Sequence, residues 1–142
     1  MPTLDRETHL GLLGLATARG HQLEIVTSDL LGRALIVPHA KARLLAASLG
    51  QYSALTVLQT LSSRHDCGQL DPAALASWVR KAEAANTARN RVMHSPWVTE
   101  DGDPGPSLVL TRGLLPQPRG EAELREDIAL MAAAVEAASA LY

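Results

Sequence analysis

The segment ANTARNRVMHSPW, Ala85 to Trp97, gathers residue types suited to act on a phosphate group. A guanidinium offers a fork of donors that matches phosphate oxygens, and an imidazole titrates near neutral pH. Arg89 and His94 together could therefore hold a phosphate and move a proton. The carboxamide of Asn90 stands beside Arg89 and one helical turn before His94. The same residues could also be a solvated helix end, with His94 meeting the terminal carbonyls. Which of the two they are depends on the helix that carries them.

That helix has the clearest start in the chain. Asp71 can cap it, and Pro72 occupies the first helical position, where its missing N–H costs nothing. Its apolar stripe is Leu75, Trp78, Val79, Ala82, Ala85, Val92 and Met93. Pro96 disfavours helical geometry at Ser95, so the helix should end at His94. At about 100° per residue, Arg80, Thr87, Arg91 and His94 share one face, with Asn90 nearby, that should meet solvent or a partner. Arg89 falls instead within the apolar stripe, where a charge is costly unless it is paired. Glu24 on the first helix is the partner that helical phase indicates. Arg89 and His94 lie about 140° apart around the axis, so a dimer packed across this helix would be one way to bring both into a single cleft.

An arginine with a polar neighbour and a histidine four to six residues beyond it resembles the motif of the HEPN superfamily. Arg89-Asn90-Arg91-Val92-Met93-His94 matches that pattern at the end of the third of four expected helices, and Trp97 follows the histidine as an aromatic does in some members. Arg33 to His39 has a similar spacing, but Ala34 takes the polar position and Pro38 breaks the helix, so that copy is set aside. The resemblance implies a small dimeric helical bundle acting as a metal-independent endoribonuclease, in a toxin–antitoxin or phage-defence setting with an antitoxin or other protein partner. In such an enzyme the ribose 2′-hydroxyl attacks its adjacent phosphate, leaving a cyclic phosphate and a free 5′-hydroxyl. His94 would be the general acid or base, favoured in the acid role by its place in the last helical turn. Arg89 would stabilise the phosphorane charge, Asn90 would orient the phosphate or His94, and Arg91 would hold the RNA backbone. Trp97 is either a base-stacking contact or a hydrophobic lid.

The remaining elements must position this segment. Thr8 to Val37 reads as a first helix with Leu12, Leu15, Ala16, Leu23, Val26 and Leu30 near one face and a kink at Gly20; Pro38 ends it. His39 to Ser63 reads as a second, with Leu45, Leu49, Tyr52, Leu55 and Leu58 inward. After the third helix, Trp97–Thr99 and Ser107–Arg112 flank the turn-rich EDGDPGP and read as a small hairpin. A linker, LLPQPRG, leads to a last helix striped by Leu124, Ile128, Met131, Val135, Ala138 and Leu141. The expected fold is all-α: a four-helix up-down bundle with a small β-hairpin inserted before the last helix, as one domain over residues 1–142.

Composition limits the alternatives. A net charge of −2 and a pI near 6.2 give no global attraction for nucleic acid or an anionic membrane, so any RNA contact must be local. Aromatics are only 3% with no Phe, so the core must be aliphatic, which suits helices. A single cysteine excludes an internal disulfide, and neither a signal peptide nor a membrane-length apolar run is legible, so a cytoplasmic protein is expected. His65, Asp66 and Cys67 are adjacent but lack the paired spacing of a metal site, and no cofactor motif occurs; neither metal nor cofactor is expected. The acidic balance favours a second reading, a non-catalytic helical module for dimerisation or for binding a protein partner.

Overall fold

Helix α1, Arg6–Leu35, is 30 residues long and is continuous through Gly20. The computed structural model describes residues 6–94, 97–98, 108–109, 117–118 and 120–142, with side chains described over 7–93 and 120–142. Helix α2 spans His39–Leu49, α3 Gln51–Ser63, α4 Pro72–His94 and α5 Glu121–Ala137, and a 3-10 turn over Ala138–Leu141 follows. The expected all-α bundle forms. The expected four-helix count with an inserted hairpin does not.

The first correction lies at Gly50. The segment read as one helix is two, because Gly50 takes φ 83°, ψ 162°, a conformation open to glycine, and its N–H closes α2 on the Ala46 carbonyl. The phase of the apolar stripe changes there. Leu55 and Leu58 are buried as expected, whereas Leu45, Leu49 and Tyr52 are exposed, and Leu15 on α1 is also outside the core. Helix α2 buries only Ala42, whose Cβ would come within 2.9 Å of a Cβ built at Gly32. The α1–α2 approach therefore depends on small residues.

The second correction lies between α4 and α5. Among the described residues, no two-stranded hairpin of the expected lengths occurs. The described pairings are three two-residue segments, β1 (Trp97–Val98), β2 (Leu108–Val109) and β3 (Gln117–Pro118), antiparallel in the order β1-β2-β3. Gln117–Pro118 belongs to the stretch read as linker, and Pro118, which has no N–H to donate, takes an edge position. The rest of EDGDPGP, of the two expected strands and of LLPQPRG lies outside the described residues.

Helix α4 is central, packing against α3, α5 and α1, while α5 also lies on α1. Leu23, Leu30, Leu31, Leu55, Leu58, Leu75, Leu124 and Met131 are fully buried, each worth about 1.5–3 kcal/mol of transfer free energy. Trp78 spans α4 to α5, donating from Nε1 to the Ala134 carbonyl at 2.9 Å. The start of α4 is capped as its residues require, with the Ala74 N–H donating to Asp71 Oδ2 at 2.8 Å. At α5, Glu123 accepts from the Gly120 N–H at 2.8 Å; glycine has no side chain to return the bond, so this is half of a capping box.

Two helices end on unusual residues. Val37 N–H donates to the Gly32 carbonyl and Asp66 N–H to the Leu61 carbonyl, the six-to-one bonds of a Schellman ending. The residues at the left-handed positions are Ile36, φ 56°, and His65, φ 54°. His65 therefore serves a helix cap. No group of three or more metal-ligating side chains occurs among the described residues.

Candidate functional site

The phase that isolates Arg89 on α4 also groups it with Ala82, Asn86 and Met93 on the side facing α1. The two helices run antiparallel there. Thr17 Oγ1 approaches Met93 Sδ at 3.8 Å, and one turn further along α1 the buried Gly20 meets Arg89. A Cβ at residue 20 would stand 3.0 Å from Arg89 Nε and 3.1 Å from Cδ, so the arginine side chain lies directly across the α1 backbone. One turn beyond, Arg89 Nη2 lies 2.5 Å from Glu24 Oε1. His21 is next to this pair, with Nδ1 3.8 Å from Glu24 Oε2.

The pairing settles how a guanidinium is tolerated in an apolar stripe. Arg89 retains 24% side-chain exposure, so the ion pair sits at the bundle surface and is not sealed within it. One of the five guanidinium donors is engaged by Glu24 at short range, and others remain for an anion. A cleft of about 410 Å³ lies beside the pair, lined by His21, Glu24, Ser28, Arg43, Gly50 and Gln51. Gln51 Nε2 donates at 2.8 Å to Thr27 Oγ1, which itself donates to the Leu23 carbonyl, carrying a polar seam from α3 into α1.

The other candidates are distributed differently. Asn90 is exposed beside Arg89. His94 is the last residue of α4, and its side chain lies outside the described residues. Trp97 pairs with Val109 in the short sheet; its side chain, too, lies outside the described residues. Arg91 is not gathered with Arg89. Two positions further on, about 200° around the helix, it turns to α5 and places Nη2 2.8 Å from Asp127 Oδ1. The Asp127 side chain is only 3% exposed. The face of α4 expected to meet solvent or a partner is thus partly covered by α5.

Four residues to which the sequence reading gave no part in the site complete the geometry: Gly20, His21, Asn86 and Asp127. Gly20 was legible only as a helix-weakening residue, not as the notch for Arg89. Asn86 is buried, and its Oδ1 has no hydrogen-bond partner among the described residues. It lies one turn before Asn90 and in phase with Arg89, so the same angular argument could have found it. Among titratable groups elsewhere, burial pushes the Cys67 thiol up, with Asp71 and Asp66 adding to the effect, and its Sγ contacts the Leu70 carbonyl at 3.2 Å. Burial also lowers His9.

Chemically, the α1–α4 seam can hold an anion at a pre-set guanidinium, with a carboxamide beside it and two imidazole-bearing positions, His21 and His94, on the adjoining backbone. No helix among the described residues is long and apolar enough to cross a membrane. No family model matches the chain, and no curated protein or solved structure shows significant similarity to it.

Proposed function

We propose that this chain is a HEPN-like helical domain that cleaves RNA without a metal, working as a homodimer in which two copies of the Arg89–His94 segment face one cleft. The observation that carries the reading is the fixed guanidinium. Arg89 is laid across Gly20 and anchored by Glu24 at the surface, beside the exposed Asn90 and one turn from the end of α4. A charge that must meet a phosphorane acts best when it is already in place, because no reorganisation accompanies the reaction.

In this reading the 2′-hydroxyl loses its proton to one imidazole and its oxygen forms a bond to phosphorus. The bond to the 5′-oxygen breaks, and the leaving oxygen takes a proton from a second imidazole. His94 of the two copies supplies both groups. Arg89 carries the extra negative charge, and Asn90 orients a phosphate oxygen. Arg91 contributes through its ion pair with Asp127, which ties α4 to α5, more than through direct contact with RNA. Toxin–antitoxin or phage-defence settings, with a neutralising protein partner, fit such an activity.

The test is cleavage of mixed single-stranded and structured RNA in excess EDTA by wild type, Arg89→Ala and His94→Ala, with product ends identified. Cyclic phosphate ends from wild type, and intact RNA with both folded variants, support the reading. Intact RNA with wild type, or equal cutting by all three, overturns it.

A second reading is favoured by a separate observation. Leu44 and Tyr52, at 71% and 73% exposed, flank Leu45 and Leu49 on the outer side of α2 and the start of α3. An apolar helix face of that kind fits a non-catalytic module for dimerisation or for binding a protein partner.

A further inference from the structure

Toward the C-terminal end of α1 the bundle holds a second cleft, about 700 Å³ in volume, between α1, the start of α2, the loop after α3 and Tyr142. That is within the range of small-molecule sites. Its polar groups are arranged in an unusual way. Asp29 and Arg33 are four residues apart on α1, the spacing at which a helical ion pair forms. They do not form one. Asp29 Oδ1 instead lies 2.6 Å from Nδ1 of His39, the first residue of α2. The Arg33 guanidinium is turned onto the Tyr142 ring, with its central carbon 4.3 Å from the ring centroid. Among the described residues Arg33 has no carboxylate at ion-pair distance.

The consequences are specific. Nδ1 of His39 lies against the Asp29 carboxylate, although Asp29 Oδ1 makes no aligned hydrogen bond, so Nε2 is the imidazole nitrogen left for a ligand. A guanidinium placed over a ring face leaves its N–H donors available. Burial and the charge of Asp29 raise the Tyr142 hydroxyl while Arg33 opposes them, so the three groups share one local field. The first turn of α2 begins at Pro38 without a side-chain cap, and Pro38 and His39 both line the cleft. Apart from Gln69, the remaining walls are apolar, including Val37, Leu70 and Leu141.

We propose that this cleft binds a small organic acid: one carboxylate or phosphate group on an apolar or aromatic body. The anionic group sits on the edge of Arg33 within reach of His39 Nε2, and the body lies against Val37, Pro38 and Leu141. Asp29 lies against His39 and makes no ion pair with Arg33, so it leaves the guanidinium to the ligand. The site is separate from Arg89 and Glu24 and does not depend on the nuclease reading.

The experiment is a titration of the full chain, followed by amide resonances and calorimetry, with benzoate, phenyl phosphate and inorganic phosphate as probes. Saturable millimolar or tighter binding of benzoate or phenyl phosphate is expected, with shifts at residues 29–41 and Tyr142, and weaker binding of inorganic phosphate, which has no body. Whichever organic probe binds more tightly tells carboxylate from phosphate. Arg33→Gln should weaken that probe by about tenfold, the loss of one charge-assisted contact. His39→Ala should weaken it several-fold, and Arg89→Ala should leave it unchanged. The amide spectrum of each variant reports whether it is folded, and Arg33→Lys, which keeps the charge and loses the planar fork of donors, serves as a second variant at that position. No saturable binding of either organic probe to wild type, or binding that survives both Arg33→Gln and His39→Ala, overturns the proposal.

Discussion

Arg89 reaches Glu24 across residue 20 of α1, and it can do so because that residue is glycine. A Cβ there would meet Nε, Cδ and Cγ of Arg89 at 3.0, 3.1 and 3.3 Å. Those atoms belong to a flexible side chain, so a substitution moves the arginine and leaves the helices in place. On the proposed nuclease reading, Gly20→Val is therefore expected to keep the helical circular dichroism and to lower RNA cleavage about tenfold or more through misplacement of the guanidinium. Gly20→Ala should show a smaller loss of cleavage while gaining roughly 0.5–1 kcal/mol of helix propensity. Cleavage rates unchanged in both variants would remove Gly20 and the crossing from the mechanism.

The pair formed by Arg91 and Asp127 has a different consequence. Arg91→Ala takes the cation away from a carboxylate whose side chain is 3% exposed. A loss of about 2–3 kcal/mol is expected in urea unfolding, short of the full buried-pair value because Arg91 itself is partly exposed. Combining it with Asp127→Leu should recover most of that loss. A change within about 0.5 kcal/mol for Arg91→Ala alone would mark it as an ordinary surface position.

Ile36 carries a β-branched side chain at φ 56° with 80% of its surface exposed. Its left-handed conformation costs about 1–2 kcal/mol that glycine would not bear. Because so little of Ile36 is buried, Ile36→Gly is expected to stabilise the chain by about 1 kcal/mol, raising Tm by roughly 2–4 °C. Thermal unfolding of the two proteins checks this; a lower Tm would show that the Ile36 side chain supports the fold through its contacts.

Cys67 is held protonated by burial, with the nearby charges of Asp71 and Asp66 reinforcing the effect. A thiol whose folded pKa lies above its unfolded value, about 8.5, contributes stability below that value and loses it as pH rises through the folded pKa. Stability should therefore decline through the alkaline range above pH 8.5, and Cys67→Ala should flatten that part of the profile. Native alkylation by iodoacetamide at pH 8 should be slow and become fast in urea. Rapid native alkylation would contradict a buried thiol.

Features set by a few neighbouring residues were legible without a structure. Proline's fixed φ and missing N–H placed the boundaries at His39, Pro72 and His94, and Asp71 marked its own cap. The helical phase that put a charge in the apolar stripe pointed from Arg89 toward Glu24. Gly50 was not legible as a break, because a glycine inside a helix costs only about 1 kcal/mol and many helices tolerate one. It breaks here because α2 must turn to pack on α1 at Gly32.

By itself the sequence determined which residues share a face on α1, α4 and α5, where α4 and α5 start, and that an aliphatic helical core would form. Those follow from backbone dihedrals and a period of about 3.6 residues, which are local. Only the tertiary structure decided which faces are covered. It set α5 and Asp127 against the side of Arg91 that read as free, laid Arg89 over Gly20, and turned Asp29 to His39 instead of Arg33. Phase tells which side chains point the same way; what they meet depends on contacts between residues distant in the chain.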